Sequence, residues 1–185
     1  MRIISGVYRS RAVKTGKDMR IRPTSDKVKG ALFNMLGPLE GNQVLDLYSG
    51  CGNLGLEALS RGAERVVFVD RHPESLALIR ENLSSLGLEP RDSRIRIIGQ
   101  DVLQACRSLH LEGQSFDVIL ADPPYETGAL RHVLEMMKEY PLFKAGALLA
   151  VEHHSKDTEM MPDFQPEMVR QRQYGDTSLS LFKSL

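Results

Sequence analysis

Short apolar runs alternate with amphipathic segments along most of this chain, and that alternation limits its fold more than any other feature. Strand–helix alternation is typical of a parallel sheet with helices packed on it. Two final runs flank Gly175-Asp176-Thr177 and predict an antiparallel hairpin. We therefore expect an α/β fold with a mostly parallel seven-stranded sheet and a C-terminal antiparallel hairpin. The strands are expected near residues 43–48, 65–70, 95–99, 116–121, 147–152, 167–174 and 178–183, and the helices near 54–61, 73–86, 101–109 and 128–140.

Two of the helical patterns predict core positions. The first helix is expected after a cap at Thr24 or Ser25. Its apolar stripe comprises Val28, Leu32, Met35 and Leu36. The helix that starts at Pro73 has one apolar face, formed by Leu76, Ile79, Leu83 and Leu86. Both stripes follow the period of an amphipathic helix, so we expect them to be buried.

A glycine-rich turn follows the first predicted strand. Gly50, Gly52 and Gly55 have the spacing G-x-G-x-x-G, and Asp70 ends the next strand, twenty positions after Gly50. This arrangement is typical of dinucleotide-binding sites, in which the acidic residue binds ribose hydroxyls. The glycine pattern alone does not distinguish NAD, FAD and S-adenosylmethionine enzymes, and a tight strand–helix turn with no ligand is the simpler alternative.

Asp46 bears on the choice of cofactor because it comes just before the glycine turn. A carboxylate there would repel a pyrophosphate but attract a ligand that carries an ammonium and a sulfonium group. S-adenosylmethionine has both groups and no phosphate. A solvated or capping carboxylate is the alternative interpretation of Asp46.

The tetrapeptide Asp122-Pro123-Pro124-Tyr125 follows the buried strand predicted at 116–121. Ligands of open α/β sheets bind where the strands end. The carboxylate and the Pro123 carbonyl can both accept hydrogen bonds from one exocyclic NH2 group, and the two prolines stiffen the backbone. The tyrosine ring can stack on a planar base. The motif indicates a site that binds the amine of a heterocycle. The alternative is a polar loop without a ligand, in which Pro-Pro only ends the strand.

Together these residues resemble a known group of enzymes. The stretch from Asp46 to Gly55, with Asp70, Asp101 and the tetrapeptide, resembles the class I S-adenosylmethionine-dependent methyltransferases that modify exocyclic amines. The stretches 1–6, 22–36, 55–63 and 174–177 further resemble the RsmD family of small-subunit (16S) ribosomal RNA guanine-N2 methyltransferases. The resemblance extends from Met1 to the last strand. The chain departs from the family at Tyr48 and Cys51, where Phe and Ser are usual, and at Gln173, where a basic residue is common.

The resemblance implies a Rossmann-like fold and a set of site residues. Asp101 is expected to hydrogen-bond the adenine amine with Val102 packed beside it, and a helix N-cap is a role that Asp101 can fill at the same time. The cofactor expected is S-adenosyl-L-methionine. Its site is expected to include Asp46, Tyr48, Ser49, Gly50, Gly52, Asp70, Arg71, Asp101, Val102 and Asp122, and the catalytic residues are expected to be Asp122, Pro123, Pro124 and Tyr125.

Charge is unevenly distributed, although the formal net charge of the chain is zero. Residues 1–30 hold nine Lys or Arg and two Asp, a net charge of +7, so the remainder carries −7. This predicts a basic N-terminal arm or hairpin, residues 1–22, that follows RNA phosphates ahead of a catalytic domain, residues 23–185. A merely solvated N-terminus is the alternative. The RNA-binding candidates are Arg2, Tyr8, Arg9, Arg11 and Arg22.

Composition argues against several other classes. The chain has no apolar run long enough for a membrane span and no apolar segment typical of a signal peptide. Cys51 and Cys106 have no metal-ligand spacing and are too few for a disulfide scaffold. We therefore expect a cytoplasmic monomer without a metal, and we interpret His72, His132, His153 and His154 as surface or loop residues.

The function expected is methylation of a guanine N2 amine in ribosomal RNA, either free or in an assembling small subunit. Two alternatives stay open at this point. An N6-adenine methyltransferase acting on DNA or RNA would use the same tetrapeptide, although a chain of 185 residues has little room for a target-recognition domain. An NAD-dependent oxidoreductase would explain the glycines but not Asp122 to Tyr125.

Overall fold

The computed structural model describes residues 1–16, 26–89, 91–124, 128–158, 161 and 163–185. The helices are α1 (Asp26–Leu36), α2 (Asn53–Ser60), α3 (Pro73–Ser85), α4 (Val102–Leu111) and α5 (Ala129–Glu139). The strands are β1 (Gln43–Leu47), β2 (Arg65–Val69), β3 (Ile95–Ile98), β4 (Phe116–Ala121), β5 (Phe143–His154), β6 (Glu167–Tyr174) and β7 (Thr177–Lys183). The expected caps Thr24 and Ser25 lie outside the described residues.

These strands form one seven-stranded sheet in the order β3-β2-β1-β4-β5-β7-β6. The first five strands pair in parallel, and β7 pairs antiparallel with both β5 and β6. The predicted mostly parallel sheet with a C-terminal antiparallel hairpin is therefore confirmed. Strand β5 begins earlier than expected, at Phe143. Lys144 and Gly146 interrupt the apolar pattern at its start, and Ala145 and Gly146 are exposed there. There Phe143 pairs with Phe116 before the register shifts.

Helices cover both faces of the sheet. On the first face, α1, α2 and α3 pack over alternate strand residues such as Val44, Phe68 and Leu120. On the second face, α4 and α5 pack over the intervening residues, such as Leu45, Val67 and Ile119. Buried apolar residues on both sides of each central strand explain why these strands are continuously hydrophobic. In the predicted stripes of α1 and α3, every residue except the half-buried Met35 and Leu76 is less than a tenth exposed and belongs to the core of the first face.

Residues 1–16, which we call the N-terminal segment, pack onto the first face. Arg2 and Ala12 form an antiparallel bridge, and the side chains of Ile3 and Val13 are buried in the core. Gly6 crosses the end of α2 so closely that a Cβ atom there would lie 1.7 Å from the carbonyl oxygen of Ser60. The expected boundary at residue 22 lies outside the described residues. The segment itself shares one core with α1, α2 and α3.

A fully buried ion pair joins this segment to the helices. The Nζ atom of Lys29 lies 3.5 Å from Oε2 of Glu57, and both side chains are inaccessible to solvent. Lys29 also donates hydrogen bonds of 2.7 Å to the Arg2 carbonyl and to Oδ1 of Asn53. The Glu57 carboxylate accepts the backbone N–H groups of Ile4 and Ser5 at 2.7 and 3.1 Å. Burial lowers the pKa of Lys29, and the neighbouring Glu57 opposes that shift.

The Lys29→Met variant tests this network. Glu57 would keep its second cation, Arg61, whose Nε lies 2.8 Å from Oε1, but the Arg2 carbonyl and Oδ1 of Asn53 would lose their donor. Since a buried acceptor without a donor costs about 1–3 kcal/mol, we expect the free energy of unfolding to fall by at least that amount. Urea denaturation followed by circular dichroism measures the change. The matched control is Lys27→Met on the exposed side of the same helix, which should cost little. Equal stability of the two variants would contradict a structural role for the Lys29–Glu57 pair.

Candidate active site

The ends of β1, β2 and β4 meet at the point where the strand order reverses. From β1 the chain builds the sheet outward through β2 and β3, and it then returns to place β4 and β5 on the other side of β1. Such a reversal opens a crevice at the carboxyl ends of the strands, which is where ligands of these folds bind. In the aligned register, Leu47 lies between Val69 and Ala121. The residues that follow β1, β2 and β4 therefore lie side by side at the carboxyl-terminal edge of the sheet.

The turn that follows β1, residues 48–52, is called the glycine turn below. Its backbone adopts left-handed φ angles at Tyr48 (57°), Gly50 (55°) and Gly52 (82°). A tyrosine rarely adopts such an angle, so the surrounding contacts must hold it there. Ser49 supplies them: its N–H donates to the Val69 carbonyl at 3.0 Å, and its Oγ donates to the Asp46 carbonyl at 2.6 Å. The Ser49 hydroxyl therefore bonds to the backbone of β1 and β2.

Asp46 lies beneath the glycine turn on the first face. Its side chain is 1% exposed, and Oδ2 accepts the backbone N–H of Gly55 at 2.9 Å. Burial raises the pKa of Asp46 to about 7, and the charge of Asp70 acts in the same direction, whereas the Gly55 hydrogen bond opposes the shift. Asp46 therefore caps the first turn of α2, which is the alternative role that the sequence analysis gave it.

Gly55 has a steric role in the same contact. A Cβ atom on Gly55 would lie 2.2 Å from Cε1 of Phe68 and 2.9 Å from Oδ2 of Asp46. Only a glycine lets α2 approach β2 this closely, which is the role of the third glycine in dinucleotide-binding turns.

Asp70 ties the glycine turn to the end of β2. Its Oδ2 accepts the N–H of Gly50 at 2.9 Å and its Oδ1 accepts the N–H of His72 at 2.8 Å. A carboxylate has about four acceptor positions, so each oxygen can accept a further donor. Asp70 can therefore hold the turn and still accept hydroxyl groups from a ligand.

Asp101, Arg71 and Tyr48 come together beside this turn. The Asp101 carboxylate caps α4 by accepting the Leu103 N–H at 3.0 Å, and its other oxygen lies 3.6 Å from the exposed Arg71 guanidinium. Burial raises the pKa of Tyr48 to about 12, and Cys106 and Asp101 add to that shift. Val102 is buried at the start of α4. The predicted N-cap at Asp101 is confirmed.

The Asp-Pro-Pro motif begins directly after Ala121, the last residue of β4. Asp122 is half-buried, Pro123 is buried and Pro124 is exposed, whereas Tyr125 lies outside the described residues. Ala121 aligns with Leu47 of β1 and with Val151 of β5. Because side chains alternate along a strand, Asp122 belongs to the same face as Leu120 and Asp46. The structure thus brings the start of the motif and the glycine turn to one edge of the sheet.

Most of the basic candidates of the N-terminal segment lie elsewhere. Because α2 and α3 run back along the strands, their C-terminal ends lie towards the opposite edge of the sheet. Val7 bonds to the carbonyl of Ser60 at one such end, and the guanidinium of Arg11 bonds to the carbonyl of Ser85 at the other. The N–H of Tyr8 donates to Oγ of Ser60 at 2.9 Å, the N–H of Arg9 donates to the Gly6 carbonyl, and Arg2 pairs with Asp26 at 3.3 Å. Arg22 lies outside the described residues.

Within the described part of the chain, no group of three or more His, Cys, Asp or Glu residues has the geometry of a metal site. A search of the same residues finds no helix with the length and hydropathy needed to cross a membrane. Cys51 and Cys106 are buried thiols whose pKa is raised by burial.

A family model described as Conserved hypothetical protein 95 matches residues 1–183. The chain belongs to this family. Among its relatives is the "Putative rRNA methyltransferase YlbH" of Bacillus subtilis, which is 34% identical, with 99% of this chain and 98% of that protein covered. The "Ribosomal RNA small subunit methyltransferase D" of Haemophilus influenzae is 29% identical, with 100% and 94% covered. These matches confirm the resemblance to the RsmD family.

Solved structures agree with the fold. The "Putative methyltransferase yhhF from Escherichia coli" has a TM-score of 0.83 at 25% identity, with 100% of this chain and 97% of that chain covered. A further "putative methyltransferase complexed with SAH" has a TM-score of 0.70 at 16% identity, with 95% of this chain and 52% of that chain covered. The predicted Rossmann-like class I methyltransferase fold is confirmed.

In this member of the RsmD family, the glycine turn is also held by residues that the sequence motifs did not indicate. Asn82 donates from Nδ2 to the Cys51 carbonyl at 2.9 Å and to the Lys14 carbonyl at 3.0 Å. Asn53, at the start of α2, accepts from Lys29. A signal for Lys29 was present, because it has helical spacing to Leu32, Phe33 and Leu36 and so lies on the buried face of α1. No such pattern marks Asn82.

The raised pKa of Asp46 leads to a pH-dependent prediction. In the unfolded chain this carboxyl group ionises near pH 4, whereas in the folded chain it stays protonated up to about pH 7. Between these values the unfolded state binds fewer protons, so the contribution of Asp46 to stability falls as pH rises and is lost above about 7.

Asp46→Asn keeps an oxygen for the Gly55 N–H but cannot ionise. We therefore expect this variant to gain stability relative to the wild type as pH is raised from about 4 to about 8. Denaturant titrations across this range measure the difference, with the exposed Asp163→Asn as the matched control. A stability difference between Asp46→Asn and wild type that does not change with pH would contradict the raised pKa.

Proposed function

We propose that this chain transfers the methyl group of S-adenosylmethionine to the exocyclic N2 amine of a guanine in small-subunit ribosomal RNA. The observation that carries the proposal is the juxtaposition of Asp122-Pro123 with the glycine turn at the switch point of the sheet. The names of the relatives, ribosomal RNA methyltransferases that the chain covers nearly end to end, support the substrate class. That substrate would place the enzyme in the cytoplasm.

The residues present fit S-adenosylmethionine better than a dinucleotide. The Asp70 carboxylate lies against the glycine turn, where it would repel a pyrophosphate. Asp70 has acceptor positions left for the two ribose hydroxyls, and Asp101 has one for the adenine amine. The basic side chain beside them, Arg71, is already close to Asp101. This charge pattern argues against the NAD-dependent alternative.

When bound, S-adenosylmethionine supplies a methyl group activated by the sulfonium. The guanine amine is a weak nucleophile, because its lone pair is conjugated with the ring. The protein must therefore activate the amine and position it. We propose that Asp122 accepts one amine N–H and the Pro123 carbonyl accepts the other, which favours a pyramidal nitrogen. Fixing that nitrogen in line with the methyl group supplies much of the remaining rate.

The target base must leave its stack to reach this edge, since the edge of a stacked guanine is not accessible to such a pocket. Recognition of unstacked bases by aromatic side chains is common in RNA-binding proteins. We propose that Tyr125 stacks on the guanine in this way. No tuned base is required, because the amine loses its proton after attack. The interpretation of His153 as a surface or loop residue is wrong, since it is buried in β5 on the second face, where its Nε2 lies 2.8 Å from Oγ of Ser180. We assign it no role in the step.

The methylated nucleoside that the enzyme forms identifies the base that it modifies. We expect purified protein, labelled S-adenosylmethionine and unmodified small-subunit RNA or particles to yield N2-methylguanosine, identified by mass spectrometry of the digested nucleosides. The same nucleoside should be missing from ribosomal RNA of cells that lack this protein. N6-methyladenosine as the product would favour the adenine alternative, and binding of NAD without binding of S-adenosylmethionine would favour an oxidoreductase.

Asp122→Ala tests the amine-holding role. We expect methyl transfer to be nearly abolished while the affinity for S-adenosylmethionine, measured by calorimetry, changes by no more than a few fold. The control Asp117→Ala lies at the other end of β4, where Asp117 pairs with Lys144, and should retain turnover. Near-normal activity of Asp122→Ala would remove this residue from the reaction.

Asp70→Ala tests the ribose role. We expect cofactor affinity to fall by about 1.5–3 kcal/mol, the value of a hydrogen bond to a charged group. Because Asp70 also holds Gly50 and His72, the variant should lose stability as well. Calorimetry on the folded variant separates these effects, and an unchanged affinity would show that Asp70 serves the turn alone.

A further inference from the structure

The edge strand β6 carries two exposed basic side chains that belong to none of the sequence motifs described above. Arg170 and Arg172 are both exposed on this strand, and their neighbours Gln171 and Gln173 are neutral. Because side chains alternate, the two arginines lie on one face and the two glutamines on the other. Gln171 donates to Ser180 at 3.1 Å, on the face where Ser180 contacts His153. The positive charge of β6 is therefore confined to a single face of the sheet.

That face is the one that carries the candidate active site. Arg170 aligns with Leu181, which aligns with Ala150, then Leu120 and then Asp46. Leu181, Ala150 and Leu120 all belong to the core of the first face. The register thus forms a continuous row from Arg170 to the residue beneath the glycine turn.

Arg172 lies in the next row towards the carboxyl ends of the parallel strands. It aligns with Leu179, which aligns with Glu152 of β5. Ala121 aligns with Val151, so Asp122 and Glu152 take the following position on β4 and β5. Three strand spacings separate β6 from β4, which amounts to about 14 Å. This distance is suited to the nucleotides that flank a base held at Asp122.

We propose that Arg170 and Arg172 form a phosphate-binding stripe for the single-stranded RNA that flanks the target nucleotide. Guanidinium groups bind phosphate through paired N–H donors, and Arg is favoured for that reason. Within the described part of the chain, no carboxylate forms an ion pair with either arginine. Both side chains are thus available to an external anion. The inference rests on the proposed function, since it names the surface that would hold the same RNA.

A second explanation for these charges exists. Charged side chains on an edge strand prevent its pairing with another sheet. That role does not require the charges to lie on the face of the active site, nor does it involve RNA. It predicts aggregation of the neutralised protein with unchanged RNA affinity.

Salt titrations of RNA binding decide between these explanations. The probe is a short fluorescein-labelled single-stranded RNA, with binding followed by anisotropy in increasing potassium chloride. For single strands each phosphate contact contributes about 0.7 to the slope of log affinity against log salt, so Arg170→Gln/Arg172→Gln should lower the slope by about 1.4. The matched control is Arg107→Gln/Lys138→Gln, two exposed charges on α4 and α5 of the second face, which should leave the slope unchanged.

A third pair, Arg9→Gln/Arg11→Gln, tests the surface that the charge distribution of the sequence favoured. If this pair lowers the slope and the β6 pair does not, the stripe is wrong and RNA binds along the N-terminal segment. A wild-type slope for the β6 pair, or an equal loss in the control pair, would also overturn the proposal. Thermal melting and calorimetry with S-adenosylmethionine show whether each variant is folded and binds cofactor.

Methyl transfer separates failure of this inference from failure of the proposed function. If the wild type methylates no guanine but the β6 pair alone lowers the slope, the proposed reaction is wrong and the phosphate stripe stands. If the wild type forms N2-methylguanosine and the β6 pair methylates small-subunit RNA at the wild-type rate across all salt concentrations, the stripe is wrong and the reaction stands.

Discussion

The turn after β1 is the constraint on which the rest of this structure depends. The chain must leave a buried strand, pass through left-handed backbone at Tyr48, Gly50 and Gly52, and enter α2 at once. Two carboxyl groups make this possible by accepting backbone N–H groups, Asp46 from Gly55 and Asp70 from Gly50. Burying the first of them raises its pKa. The turn is therefore held by two carboxyl groups and is also the part that meets the proposed cofactor.

The N-terminal segment supports that turn instead of extending into solvent. One end reaches it through Lys29 and Asn53, and the other reaches it through Asn82, which bonds to both Lys14 and Cys51. Since buried charges are costly unless they are paired, the segment must be in place for Lys29 and Glu57 to be satisfied. The basic composition of the segment thus has a structural component in addition to any contact with RNA.

The first face of the sheet unites the remaining functional elements. Asp46, Asp122 and Glu152 belong to it at its centre, and Arg170 and Arg172 belong to it at the β6 edge. A parallel sheet collects strand ends at one edge, and the antiparallel pair β7–β6 extends the same face outward. In our proposals, the centre of this face binds the unstacked guanine, and its β6 edge binds the phosphates of the RNA on either side of that guanine.

Local patterns were enough to determine the order of the elements, the seven strands, the glycine turn and the Asp-Pro-Pro motif, because each depends on residues close together in the chain. The N-cap at Asp101 and the buried stripe of α1 were predictable for the same reason. The first half of β5 was not, since Lys144 and Gly146 interrupt its apolar pattern.

Only the tertiary structure decided which distant residues share a surface. It placed Tyr8 and Arg11 at the far ends of α2 and α3, although the charge of residues 1–30 favoured an RNA-binding arm. It turned Asp46 and Ser49 inward as supports of the turn, and it aligned Arg170 and Arg172 with the active-site face. Composition and spacing cannot reveal such relations, because they arise from strand register and helix direction, which pairing across the whole sheet fixes.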